Sequence, residues 1–252
     1  MRFSSLGSGS RGNATLVEFE DTCLLVDCGF GIREATRRLG LLGKTPESLT
    51  AILVTHEHSD HVGGVLSIAK KYSTPVYASH GTAIAAKLDA LATINVFDPH
   101  TPFNIGCMRI VPVPVPHDAR EPTQFILETE KHRLGVLTDL GMITPFVERN
   151  YSSLDALLLE SNHDPLMLAS GPYPASLKRR VGGSHGHLSN QQALDLLNAI
   201  DLSRLQHLVV AHVSEKNNSV AHVEAKVLET DIDRERVHIA TQQEGFDWRY
   251  LQ

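Results

Sequence analysis

The stretch "LTAILVTHEHSDHVGG" constrains the fold more than any other part of the chain. Its first half, Leu49 to Thr55, is a short apolar run of the kind that forms a buried strand. Its second half places His56, His58, Asp60 and His61 within six residues. Imidazole and carboxylate donors crowded in this way suit a borderline divalent metal such as zinc. Alternate side chains of an extended segment point the same way, so His56 and His58 can share one ion. Asp60 and His61 open the next helix and can turn toward a second ion. The zinc-protease pattern H-E-x-x-H is not met, because Asp60 stands in its fifth position. A strand that ends in such a cluster and hands over to a helix calls for a mixed α/β fold.

Two ions need donors from elsewhere in the chain. There are 14 histidines, and histidine is the commonest side-chain metal ligand, so placement has to single out the relevant ones. His117 in "VPVPHDA", Asp139 in "GVLTDLG" and His212 in "LVVAHVS" each follow an apolar run. Chain segments that leave a strand commonly carry functional groups.

The rest of the pattern supplies the scaffold. "RFSSL", "ATLVEF", "TCLLVDC", "TPVYAS", "RLGVLTD", "LDALLLES" and "LQHLVVAH" read as strands. "GIREATRRLGLL", "DHVGGVLSIAKKY", "GTAIAAKLDAL", "ITPFVERNY", "LSNQQALDLLNAI" and "VAHVEAKVLET" read as helices. Thr93 to Gly135 is mostly strand, and the prolines of "IVPVPVPH" forbid helix there. The strict βαβ rhythm of a doubly wound sheet is missing. The expectation is an α/β fold of the α+β type: one domain, 1–252, with two pseudo-halves at about 1–130 and 131–252, and two mixed sheets with helices outside. A chain of 252 residues can bury a substantial core.

Composition excludes some classes. A net charge of −6 argues against coating nucleic acid with the whole surface, and leaves room for a local basic groove. No apolar run reaches the length of a membrane span, and the N-terminus lacks a signal-peptide layout. Cys23, Cys28 and Cys107 show no C-x-x-C spacing and read as reduced thiols of a cytoplasmic protein.

Gly7 to Gly12 spell G-x-G-x-x-G, the signature of a dinucleotide-binding turn. That turn must open a helix. Here "NATLVEF" follows, which alternates like a strand, and Asp27 comes too soon to serve the ribose. The dinucleotide reading is therefore set aside in favour of a tight glycine loop between strands.

His56-x-His58-x-Asp60-His61, followed by His117, Asp139 and His212, resembles the metallo-β-lactamase superfamily over essentially the whole chain. The resemblance implies a four-layer αββα sandwich with two divalent ions, zinc or manganese, at the edge between the sheets. His56, His58 and His117 would bind one ion, Asp60, His61 and His212 the other, with Asp139 bridging. Asp27 in "LLVDCG" would support the ligands from behind. His58 stands where the flavodiiron oxidoreductases of the superfamily carry Glu, so hydrolysis is the expected chemistry. "LGSGSRGN", "THEHSDHVGG", "LESNHD", "YPASLKRRV", "GHLSNQQA" and "AHVSEKNN" together resemble the YycJ/WalJ subfamily, whose members are regarded as DNA exonucleases of 5′ to 3′ sense. There is no inserted β-CASP domain, which sets the chain apart from the mRNA-processing nucleases.

Ser189 and Gln192 form an S-x-x-Q capping box, so a helix starts there and its free N–H groups offer an anion site. His187, two residues earlier, is the expected proton donor to a leaving group, oriented by Glu160 as in the tRNA-processing relatives. Asp60 would orient the nucleophile as well as bind metal. His163 and His185 read as ordinary packed histidines. Expected substrate contacts are Ser8, Ser10 and Asn13 in the glycine loop, Ser189 at the cap, and the basic run Lys178, Arg179 and Arg180 for backbone phosphates. Aromatic residues are few, and no base-stacking platform is apparent. The leading expectation is a metal-dependent phosphodiesterase acting on DNA. A small-molecule hydrolase, such as a cyclic phosphodiesterase or lactonase, and a non-catalytic metal-bound sensor stand as alternatives.

Overall fold

A computed structural model describes residues 1–252. Strands β1 (Arg2–Gly7), β2 (Ala14–Phe19), β3 (Thr22–Val26), β4 (Ala51–Leu53), β5 (Val76–Ser79) and β6 (Ile94–Phe97) form most of the first sheet. Strands β7 (Phe103–Ile105), β8 (Met108–Pro114), β9 (Thr123–Glu128), β10 (Arg133–Leu137), β11 (Ala156–Glu160), β12 (His207–Ala211) and β13 (Val237–Ile239) form the second. The last strand, β14 (Phe246–Tyr250), returns to the first sheet and pairs antiparallel with β1. In each sheet an antiparallel run gives way to parallel strands, at β3–β4 in the first and β10–β11 in the second.

Parallel neighbours need crossovers, and helices supply them. The first sheet carries α1 (Ile32–Leu41), α2 (Ser59–Val62), α3 (Val65–Tyr72) and α4 (His80–Ala85). The second carries α5 (Pro145–Asn150), α6 (Pro165–Ser170), α7 (Ala175–Val181), α8 (Asn190–Ala199) and α9 (Val220–Val227).

Side-chain alternation along the strands builds three apolar layers. In β3, Leu24 and Val26 face the second sheet and meet Phe125 and Leu158, while Cys23 and Leu25 face α1 and α3. In β11, Ala156 and Leu158 point inward, and Leu157 and Leu159 point out to α5 and α8. Helix, sheet, sheet, helix is the αββα sandwich expected.

Several details differ from the sequence expectation. The two sheets divide between Phe97 and Phe103, and β14 belongs with the first. A boundary at about residue 130 falls inside the second sheet. The helix expected through "DHVGGVLSIAKKY" is two, α2 and α3, parted at Gly63 and Gly64. A Cβ on Gly64 would lie 2.0 Å from the Phe30 carbonyl oxygen, so that glycine serves a close backbone approach. The helix expected through "GTAIAAKLDAL" ends early at α4, where Lys87 turns left-handed at φ 57°. Strands β13 and β14 were not anticipated.

The topology decides where functional groups gather. β8, β10, β11 and β12 run in one direction, and so do β3 and β4. Asp27, His56, His117, Asp139, Glu160 and His212 all stand at or just beyond the carboxyl ends of these strands. Asp27, Asp139 and His212 each take a left-handed turn as the chain leaves its strand, with φ of 61°, 54° and 52°. Asp and His tolerate that region better than most residues, and such outliers collect at functional sites.

Candidate metal centre

Three imidazoles meet at the end of β4. His56 Nε2 lies 3.1 Å from His58 Nδ1, and His117 Nε2 lies 3.3 Å from the same atom. The far nitrogens of two rings are tied down. His117 Nδ1–H donates to the Gly186 carbonyl at 3.0 Å, and His56 Nδ1 sits 3.0 Å from the Thr55 hydroxyl. A proton on His117 Nδ1 leaves the Nε2 lone pair aimed at its neighbours. Burial, and then the charge on His61, hold His56 well below the ordinary imidazole range despite Asp139. Burial likewise lowers His117.

The second group is Asp60, His61 and His212, with ligand atoms close enough to share an ion. His61 is fully buried and donates Nδ1–H to Asp27 Oδ2 at 2.7 Å. Its Nε2 therefore faces Asp139 Oδ2 at 3.2 Å and Asp60 Oδ2 at 3.6 Å. Asp27 is held in turn by the Thr55 backbone N–H and hydroxyl, at 2.8 and 2.7 Å. Carboxylate–histidine pairs of this kind fix the tautomer and ring orientation of metal ligands. Asp139 lies between the two groups: His56, His61 and Asp139 also form a possible ligand set.

The residues present fit a pair of divalent cations. Asp139 Oδ2 is buried and accepts no hydrogen bond, a costly state for a carboxylate oxygen. Several imidazole nitrogens converge on the same space with their outer nitrogens already committed. A mixed nitrogen and oxygen set of this kind is what zinc or manganese takes.

Glu160 closes the arrangement. It is fully buried, and Oε1 accepts from His187 Nδ1 at 2.8 Å and His212 Nδ1 at 3.0 Å. Oε2 accepts from the backbone N–H groups of Leu140 and Leu188. Burial alone would raise this carboxyl; His187 and His212 outweigh it and hold the pKa at about 2. Burial would lower His187, but the Glu160 and Asp139 charges win and raise it above 6.5. Bound at Nδ1, His187 keeps Nε2 free on the wall of a cleft of about 350 Å³ above the centre.

The structure redistributes the expected substrate contacts. Of the glycine loop, only Ser10 lines the cleft. Ser8 is buried and its hydroxyl accepts the backbone N–H of His212 at 2.8 Å. Asn13 is buried too: Oδ1 accepts from Gly9 N–H, and Nδ2 lies 3.4 Å from Asp60 Oδ2. Thr241 and Gln242 brace the loop from the far end of the chain, through Ser8 N–H to the Thr241 carbonyl, Arg11 N–H to Gln242 Oε1 and Gln242 Nε2 to the Gly12 carbonyl.

The strand after the loop is β2, so no helix offers its end to a pyrophosphate. Ser189 does cap α8 in a box with Gln192, but it is buried and spends its hydroxyl there, outside the cleft. Lys178 turns away to the Ala169 carbonyl, and Arg179 does not reach the cleft. Arg180 does: it lines the cleft and pairs with Asp118, whose Oδ1 lies 3.4 Å from His117 Nε2.

Sequence reasoning passed over Asp118, Thr55 and Tyr173. Asp118 and Thr55 are direct chain neighbours of His117 and His56, which was the available signal. Nothing in the sequence placed Tyr173 on the cleft wall. His163 is buried and His185 exposed, and neither lines the cleft.

The chain matches the beta-lactamase superfamily domain over residues 22–212. It is 33% identical over 231 residues to the exodeoxyribonuclease WalJ of Streptococcus pneumoniae, covering 88% of this chain and 86% of that protein. It is also 33% identical to the exodeoxyribonuclease YycJ of Bacillus anthracis, over 86% of this chain and 84% of the relative. Among solved structures it superposes on the metallo-β-lactamase fold protein YhfI of Bacillus subtilis with a TM-score of 0.76, at 17% identity and 99% coverage of both chains. With a matching domain over three quarters of its length and the fold in agreement, the chain belongs to the metallo-β-lactamase superfamily and is similar there to the WalJ/YycJ proteins.

Proposed function

We propose that this chain is a metal-dependent phosphodiester hydrolase that degrades DNA from an end. The observation that carries the reading is a His/Asp cluster able to hold metal beside His187, a histidine oriented by Glu160 on the cleft wall. A scaffold that only stored metal would need no such group. The WalJ and YycJ proteins, to which the chain is similar, are named exodeoxyribonucleases, and that supports DNA as the substrate.

His56, His58 and His117 would hold one ion and Asp60, His61 and His212 the other, with Asp139 between them. Bound there, zinc or manganese supplies an activated water and neutralises charge on the phosphoryl oxygens. The chain's own groups do the rest. Asp60, reached by Asn13, orients the attacking group. Asp27 and Thr55 lock His61 and His56 in the tautomers a cation needs. His187 gives its Nε2 proton to the departing oxygen, and Glu160 stabilises the imidazolium beforehand. Ser10 and Arg180 are the substrate contacts left at the cleft after Ser8, Asn13, Ser189, Lys178 and Arg179 are accounted for. The unpaired Cys23, Cys28 and Cys107 agree with work in the cytoplasm, and DNA repair is the role that suits an exonuclease there.

The test is digestion of end-labelled linear DNA by the protein loaded with Mn²⁺ or Zn²⁺, beside RNA and bis(p-nitrophenyl) phosphate. Wild type shortens DNA from one end. His58→Ala and Asp139→Ala abolish this. His187→Ala slows the chemical step by about 10²–10⁴-fold with metal content preserved. Intact DNA together with cleavage of a cyclic nucleotide or a lactone would sink the exonuclease reading.

A further inference from the structure

The cleft lining is of two kinds. His58, Asp60, Asp139, His187 and His212 are polar. Tyr173 from the loop between α6 and α7, Leu177 and Val181 from α7, and Val213 just past β12 bring apolar surface. Arg180 lines the same cleft and is joined to Asp118. Its side chain is 59% exposed, and the bond to Asp118 uses Nε, so the two terminal nitrogens remain for a ligand.

Each kind of lining favours something. An inorganic phosphate has no apolar group to set against the aromatic and aliphatic side chains. A lactone has no anionic group to pair with the guanidinium. A ligand with a flat apolar group and a phosphate uses both. A volume of about 350 Å³ lies near the lower end of small-ligand pockets, roughly 300–1,000 Å³. That is room for about one nucleotide.

We infer that these apolar side chains form a base subsite: Tyr173 stacks on the base of the terminal nucleotide, and Arg180 holds the phosphate next to it. Tyr173 is half-buried, with its ring beneath Lys216 Nζ at 5.8 Å, so one face is backed while the residue still lines the cleft. Stacking of this kind accepts any base, because every base has a π-face. The inference deepens the proposed function and names how the same site grips its substrate.

Two measurements separate the inference from the reading it rests on. In the first, metal-loaded enzyme digests oligonucleotides whose terminal nucleotides are normal or abasic (tetrahydrofuran). Wild type loses about tenfold or more in kcat/KM on the abasic ends. Tyr173→Ala loses as much on normal ends and nothing further on abasic ones, and Tyr173→Phe or Tyr173→Trp restores the difference. In the second, calorimetry compares a deoxynucleoside monophosphate with 2-deoxyribose 5-phosphate. Wild type prefers the nucleotide by about tenfold, and Tyr173→Ala shows no preference. Equal discrimination by wild type and Tyr173→Ala in both measurements overturns the base subsite. A wild type that prefers the nucleotide but leaves DNA intact keeps the subsite and overturns the exonuclease assignment.

Discussion

Replacing Asp27 by Asn tests whether a carboxylate behind the centre governs metal binding. Asp27 leaves β3 at φ 61°, and Asn tolerates that region as well as Asp does, so the backbone should hold. The side chain now accepts three hydrogen bonds, from Thr55 N–H, the Thr55 hydroxyl and His61 Nδ1–H, at 2.8, 2.7 and 2.7 Å. An amide has a single acceptor oxygen. If its NH₂ faces His61, the imidazole must move its proton to Nε2, the nitrogen that faces Asp60 and Asp139. The lone pair offered to a cation is then gone. If its NH₂ faces the Thr55 backbone, a buried N–H loses its partner at a cost of about 1–3 kcal/mol. Either way the negative charge that steadies His61 is removed. Changes to the outer hydrogen-bond partners of metal ligands typically weaken metal affinity by about 10–100-fold, or about 1.4–2.8 kcal/mol. Competition with a coloured chelator, read beside metal content after dialysis, should show one ion weakened within that range and the other less affected. Two ions bound with wild-type affinity in Asp27→Asn would refute the reasoning, because neither amide orientation can then be costly.

Other outcomes follow from the same geometry. A Cβ on Gly29 would lie 1.9 Å from the Asp60 carbonyl oxygen, so Gly29→Ala should cost about 3 kcal/mol in urea unfolding and lower metal content through displacement of Asp60; wild-type stability would contradict it. On β13, burial first, and then Arg249 and His207, push the His238 pKa down to about 4. The unfolded chain, at about 6.5, therefore takes up the proton first as pH falls. The stabilisation from neutral His238 is complete above about pH 6.5 and is lost on descent toward pH 4. Screening at this half-exposed position reduces it to about 1 kcal/mol. His238→Gln should flatten the pH dependence of urea stability between pH 7 and 5 relative to wild type, and parallel curves would contradict it.

The proposed metal ligands were picked out because their positions repeat one rule: a donor directly after an apolar strand. His56, His117, Asp139 and His212 all obey it, and the parallel strand directions bring those ends to one edge. Layering was legible because alternation along β3 and β11 separates inner from outer side chains. What the sequence could not supply was side-chain direction within loops. Ser8, Ser10 and Asn13 look alike in "GSGSRGN", yet two turn inward to hold His212 and Asp60 and only Ser10 meets the cleft. Lys178, Arg179 and Arg180 lie on consecutive positions of α7, so their side chains fan around the helix by about 100° each, and only one lines the cleft. β14 was missed because the residues that define it, opposite β1, lie at the other end of the chain.

That last pairing bears on the order of events during synthesis. Every proposed metal ligand has been made once the ribosome passes His212, but β1 gains its second neighbour only when Phe246–Tyr250 follow. The clasp of Thr241 and Gln242 on the glycine loop also waits for this segment. Neither contact can form before those residues are made. A nascent chain can therefore gather its metal donors while the glycine loop is still unclasped, and the loop that carries Ser10 to the cleft is secured after the donors beneath it.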